Sequence, residues 1–172
     1  AVKICPNGTE GELIELGGLL ICLPKRPPKK KISGYKESNS MQMWGRVSMP
    51  QELSRIRSMD EWAEMPREFR ARFRPYIEEE FRRRREGFWF YNNGTATYIT
   101  GRHYMMIQWT KMDIGYPYFL NFQRDIFLHL AACEIDPRCI GQLYTKCRRS
   151  GYTNMCSSVL VDEGTQVKDK LM

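Results

Sequence analysis

The chain has 172 residues, with 27 Lys or Arg against 20 Asp or Glu, giving a formal charge of +7 and a pI near 9.2. With 42% hydrophobic residues and a mean hydropathy of −0.55, the composition is globular and supports one ordinary core. No apolar run nears the roughly 20 residues that a membrane-spanning helix needs, and the basic balance points to a polyanionic partner such as nucleic acid or a nucleotide.

In chain order, "CPNGTEGE" carries the signals of a chain reversal, and "LIEL" and "LLICL" flank Gly17-Gly18 as the two arms of a small hairpin. No secretory leader is expected, because Lys3 is followed by Pro6, Asn7 and Gly8 rather than by an apolar stretch. The next segment, "PKRPPKKKISGYKESNS", places three prolines and five basic residues in its first eight positions. It reads as extended and exposed, either a solvated linker or a contact for DNA phosphates or a protein partner.

Residues 50–86 read as helices. Ser58 with Glu61 forms a capping box ahead of "EWAEM", Pro66 suits the first turn of the following helix, and Pro75 opens another, "PYIEEEFRRRREG". In that last helix Glu78, Glu79 and Glu80 stand four residues before Arg82, Arg83 and Arg84, and Gly87 can end it. The arginine run is thereby accounted for as a solvated helix face rather than a DNA-binding patch. "FWFYNNGTATYITG" is a hairpin about Asn93-Gly94. Its aromatic residues can stack bases, yet a half-buried hairpin needs the same residues for packing, and the packing reading is preferred. His103 reads as a structural, hydrogen-bonding residue, since no Cys, Ser or acid is spaced to make a triad with it.

From residue 116 the pattern changes. "YPYFLNFQRDIFLHLAACEI" holds a helix of about fifteen residues, with Phe122, Ile126, Phe127, Leu130 and Ala131 as its apolar stripe. "DPR" ends it, and "CIGQLYT" reads as a buried strand. The six cysteines form no C-x-x-C pair and read as reduced thiols. His129, Cys133 and Cys139 match no familiar zinc spacing and are better read as small buried residues.

Directly after "CIGQLYT" comes "KCRRSGYT". A phosphate-binding loop reads G-x-x-x-x-G-K-[ST] between a strand and a helix: its backbone N–H groups cradle the anion, its lysine adds a charge and its hydroxyl holds Mg²⁺. Here Gly151 and Thr153 occupy the last Gly and hydroxyl positions, but Tyr152 stands at the lysine position and Lys146 where the first glycine belongs. A lysine's four methylenes reach a phosphate from either end of such a loop, so the displacement is chemically tolerable. Arg148 and Arg149 add charge beside the phosphates.

This loop resembles the displaced-lysine Walker A loop of tailed-phage large terminase subunits, the ATPases that drive DNA into empty capsids. "YPYFLNFQRDIF" resembles that family's adenine-side motif, "GFWFYNNGTATYITGRHYMMIQW" the hairpin before its ATPase core, and "LGGLLICLPKRPPKKKISGY" its amino-terminal segment. The resemblance implies an α/β chain in which residues 116–172 begin a P-loop NTPase core of the ASCE type. Residues 1–115 would form a mixed α/β amino-terminal region with β-hairpins and short helices ahead of it. ATP and Mg are the implied cofactors. Lys146 would contact the β/γ-phosphates, and Arg149 more than Arg148 would sense phosphate state. Backbone from Arg148 through Ser150, Gly151 and Tyr152 would form the cradle. Thr153 would hold Mg²⁺, and Gln123 with Tyr118 would lie near the adenine. Double-stranded DNA, a portal protein, a small terminase subunit and further copies in a homo-oligomeric ring are the implied partners. The implied place is the host cytoplasm, docked on the procapsid portal. The alternative is a non-enzymatic basic module binding nucleic acid or capsid, with the loop a chance match.

"SVLVDEG" imitates a Walker B strand. Only residues 154–157 separate it from Thr153, too few for the crossover a parallel strand requires, so it is read as the end of the loop's helix with Gly164 as cap. The Walker B strand and nuclease domain are then expected beyond Met172, and ATP hydrolysis by these residues alone is expected to be poor.

Overall fold

The computed structural model describes residues 3–4, 10–28, 46–92, 95–113, 115–145 and 151–166. Strands β1 (Lys3–Ile4), β2 (Glu10–Leu16) and β3 (Leu19–Pro24) form an antiparallel sheet in that order. Gly17 and Gly18 both have positive φ, 58° and 82°, which is what a two-residue turn matching the right-handed twist of its strands demands. The sheet's inner face presents Ile21 and Leu23 to the core, while Leu20 on the other face is exposed. A second hairpin pairs β4 (Phe88–Asn92) with β5 (Thr95–Ile99), Phe88 opposite Ile99 and Asn92 opposite Thr95. Its turn residues, Asn93 and Gly94, lie outside the described residues. Among the described residues every strand pairing is antiparallel.

The hairpin aromatics pack inward as expected. Phe88 meets Tyr104 edge-on at 5.2 Å, Trp89 meets Tyr98 at 5.4 Å and Phe90 meets Phe119 at 5.1 Å. Tyr91 stays at the edge, where its hydroxyl donates to the Pro28 carbonyl, and Trp89 Nε1 donates to that of Pro24. The hairpin thus anchors the start of the proline- and lysine-rich segment, and most of that segment lies outside the described residues.

Among the described residues there are five α-helices: α1 (Met59–Glu64), α2 (Arg67–Glu86), α3 (Gly101–Trp109), α4 (Asn121–Ile135) and α5 (Tyr152–Gln166). The Ser58 hydroxyl accepts from Glu61 N at 3.1 Å, and Glu61 reaches back to Arg57 N, one residue before the usual target of a capping box. Pro75 does not open a helix. It lies inside α2, which runs unbroken for 20 residues. The carbonyl left without its donor belongs to Ala71, and both residues face solvent, so water can satisfy it. The glutamate–arginine pairs form on this helix, Arg82 and Arg83 sharing Glu79, but Arg84 turns away into the core. The solvated-face reading therefore holds for Arg82 and not for Arg84.

Helix α3 is absent from the sequence reading. Thr100 caps it by accepting from His103 N, and seven consecutive or near-consecutive residues from Gly101 to Gln108 are buried, leaving no polar face to reveal a helical period. Helix α4 spans the expected fifteen residues, but its stripe differs. Phe122 is exposed, while Leu128 and Ala132 pack on the β2–β3 sheet and Ile126 and Phe127 pack toward α3 and α5. The helix is covered on two sides, so one stripe does not describe it.

Two further expectations are corrected. Residues 139–145 form no strand, and Ile140 and Leu143 are almost fully exposed. A strand exists only through a neighbour that pairs its backbone, and no described strand lies beside this segment. Gly164 does not cap α5, which continues to Gln166. The "SVLVDE" stretch is helical, as read. Cys22 is disulfide-bonded rather than reduced, its partner lying outside the described residues, whereas Cys133, Cys139 and Cys156 are free thiols. Among the described residues, no helix is long and apolar enough to cross a membrane.

Candidate nucleotide site

Gly151 opens α5 with φ +73°, and its carbonyl accepts the first helical bond, from Met155 N at 3.2 Å. The first N–H groups of this fifteen-residue helix lack acceptors within the helix and lie at the end where the chain enters it. That chain, residues 146–150, lies outside the described residues. Lys146, Arg148, Arg149 and Ser150 are therefore not located. Of the loop residues singled out in the sequence, Gly151, Tyr152 and Thr153 are.

Gln123 stands in the first turn of α4. It is 5% exposed, and its carboxamide Oε1 is buried without a hydrogen-bond partner among the described residues. Its Nε2 lies 3.7 Å from the point where a Cβ on Gly151 would sit. The fold thus brings a side chain from the first turn of α4 to the start of α5, where the positive end of that helix's dipole lies. An uncompensated buried amide oxygen costs about 1–3 kcal/mol, so its retention asks for a ligand donor or water. A carboxamide offers one donor and one acceptor side by side, the pattern that complements N6 and N7 of adenine.

Tyr152 stacks on Tyr144 at 4.9 Å with an interplanar angle of 13°. Burial, with the Cys156 thiol beside it, pushes the Tyr152 phenol above its ordinary range. The stack fixes the two ends of the 145–151 loop at one spot without any strand. Thr153 is exposed in the first turn of α5 and open to solvent. Tyr118 is 55% exposed on the segment entering α4, held by its buried neighbour Phe119, and makes no ring stack or hydrogen bond among the described residues. The structure therefore brings Gln123, Gly151 and Tyr152 together.

Helix α5 is seated by polar contacts that sequence reading missed. Arg84 donates to Asp162 Oδ1 at 2.8 Å and to Thr165 Oγ1 at 2.5 Å, Arg102 pairs with Glu163 and Glu134, and Ser158 Oγ meets Thr110 Oγ1 at 2.9 Å. Met155, Ser158 and Asp162 are its buried stripe, at helical spacing, with only one apolar member. The signal available was that spacing, hidden because two of the three residues are polar.

His103 was expected to hydrogen-bond. Instead it is fully buried between the rings of Phe119 and Phe127, at 5.3 and 4.9 Å, with both ring nitrogens unpartnered. Burial, reinforced by Arg124, lowers its pKa to about 3, so the imidazole is neutral. It supplies stacking surface, and catalysis is no more available to it than the sequence reading allowed. A separate groove of about 450 Å³ lies between α1 and α2 around Trp62, Phe81 and Trp109, with mainly apolar walls. Among the described residues, no group of His, Cys, Asp or Glu could hold a metal ion.

No family model, curated protein or solved structure matches this chain.

Proposed function

We propose that the chain is the nucleotide-binding part of a viral genome-packaging ATPase of the large-terminase kind, coupling ATP hydrolysis to DNA movement into a capsid. The observation that carries the reading is the approach of Gln123 to Gly151. The adenine-side motif and the last glycine of the loop, 28 positions apart in the sequence, meet at the start of α5. A chance loop match would not require a buried glutamine with an unpartnered oxygen at that spot. In this reading Lys146 and Arg149 act on the phosphates, Thr153 holds Mg²⁺ and Gln123 reads the base. Double-stranded DNA, a portal protein and a ring of like subunits are the corresponding partners.

The rival is a basic interaction module without nucleotide chemistry. Charge pairing speaks against it, since Lys25, Arg26, Arg82, Arg83 and Arg84 are all engaged by carboxylates. Titration with a fluorescent ATP analogue, on wild type and Lys146→Ala, separates the two. Loss of a phosphate-bound lysine should weaken binding by on the order of tenfold or more. Equal binding by both proteins overturns the ATPase reading.

A further inference from the structure

Away from the nucleotide site, the end of α4 gathers a second set of reactive groups. His129 and Cys133 lie one turn apart on the same face, with the Cys133 sulfur 3.6 Å from His129 Nδ1. Beyond the helix the chain reverses through Asp136-Pro137-Arg138-Cys139, where Cys139 N donates to the Asp136 carbonyl at 3.0 Å. Proline at the second position suits that turn. The Asp136 carboxylate locks it further by accepting from Arg138 N at 2.9 Å and from the Arg138 guanidinium. The turn folds the chain back along the last turn of α4, and sets Cys139 near enough to Cys133 to push its pKa up. Gln142, three residues later, donates from Nε2 to the same His129 Nδ1 at 2.8 Å. That bond makes Nδ1 the acceptor and puts the ring proton on Nε2.

The two thiols are not equivalent. Cys133 is buried, and burial with Cys139, Asp136 and Glu134 nearby pushes its pKa up. Cys139 is half-exposed at the surface of the turn. An oxidant therefore meets Cys139 first, while Cys133 is held behind it beside a base.

We propose that Cys133 and Cys139 form a reversible oxidation site, at which a hydroperoxide such as hydrogen peroxide converts the two thiols into a disulfide. The Cys139 thiolate attacks one peroxide oxygen and the O–O bond breaks, giving the Cys139 sulfenic acid and hydroxide, which leaves as water with the proton Cys139 released. Cys133 attacks the Cys139 sulfur. The S–S bond forms, the S–O bond breaks, and the departing hydroxide takes the Cys133 proton to leave as the second water. In balance, two thiols and one peroxide give one disulfide and two waters. The crosslink ties the segment leading to Tyr144 covalently to α4. This site depends on no assumption about nucleotide binding.

The test is peptide mapping by mass spectrometry under non-reducing conditions, after brief treatment with hydrogen peroxide. Wild type should yield a 133–139 linkage that dithiothreitol reverses. Cys133→Ser should instead accumulate sulfenic acid at Cys139, trapped as a dimedone adduct, at several times the wild-type level. Cys139→Ser, at the surface, leaves the helix packing untouched and should show neither product. Pairing of Cys139 with Cys156 or Cys147 in preference to Cys133 overturns the proposal. So does dimedone labelling of Cys139 that is equal in wild type and Cys133→Ser. So too does protection of both thiols by a bound metal, detected by elemental analysis.

Discussion

Arg84 of α2 donates through both Nε and Nη2 to a single carboxylate oxygen of Asp162 in α5, 78 residues away. Their side chains are 13% and 3% exposed. The third arginine of a surface-looking run of four is therefore the peg on which α5 hangs.

Removing one member of a buried pair leaves the other charge unsatisfied, which costs about 3–5 kcal/mol. Asp162→Ala should lower unfolding free energy by that order in urea denaturation. Arg82→Ala, two positions back, should cost under about 1 kcal/mol, because its partners Glu79 and Glu86 are well exposed. Similar losses from the two substitutions would contradict the assignment of roles along this helix.

Gln123→Leu should separate stability from recognition. The substitution removes a buried oxygen that has no partner, so the fold should lose nothing and can gain about 1 kcal/mol. On the proposed ATP-binding reading, the same variant should lose discrimination between ATP and other nucleoside triphosphates. Thermal unfolding and competitive nucleotide binding read the two effects independently.

His103 makes stability depend on pH in a defined window. Its pKa is about 3 in the fold and about 6.5 when unfolded, so between those values the unfolded chain binds the extra proton. Stability accordingly rises with pH across that window and is lost as pH falls through it, by about 2 kcal/mol between pH 6.5 and about pH 5. His103→Leu should flatten this slope. A slope unchanged in the variant would assign the titration to other groups.

Gly101 marks where α2 and α3 cross most closely. A Cβ there would sit 1.8 Å from the Arg84 carbonyl oxygen, a backbone atom that cannot swing aside. Gly101→Ala should therefore destabilise by about 3 kcal/mol or more despite alanine's better helix propensity. Circular dichroism melts would register the loss, and a neutral result would mean that the crossing can open.

Local signals carried much of this chain. The diglycine turn between β2 and β3, the Ser58 cap, the extent of α4 and the helical nature of "SVLVDE" were all legible, because each depends on residues within a few positions of one another. Two kinds of element were not. Helix α3 is buried all round and so lacks an amphipathic period, while α5 buries Ser158 and Asp162 and so shows its period in polar residues. Pro75 misled in the opposite sense, since a break in hydrogen bonding that faces water need not break a helix.

The candidate site divides along the same line. Sequence by itself determined which residue types stand in the loop and in the glutamine motif, because chemistry of that kind is written in side-chain identity and spacing. Only the tertiary structure decided that Gln123 meets Gly151, that Arg84 leaves its neighbours for Asp162, that His103 stacks instead of bonding, and that residues 139–145 form no strand. Each of those depends on a partner brought from elsewhere in the chain, and the choice among partners is made by packing, where burial sets the cost of every group left alone.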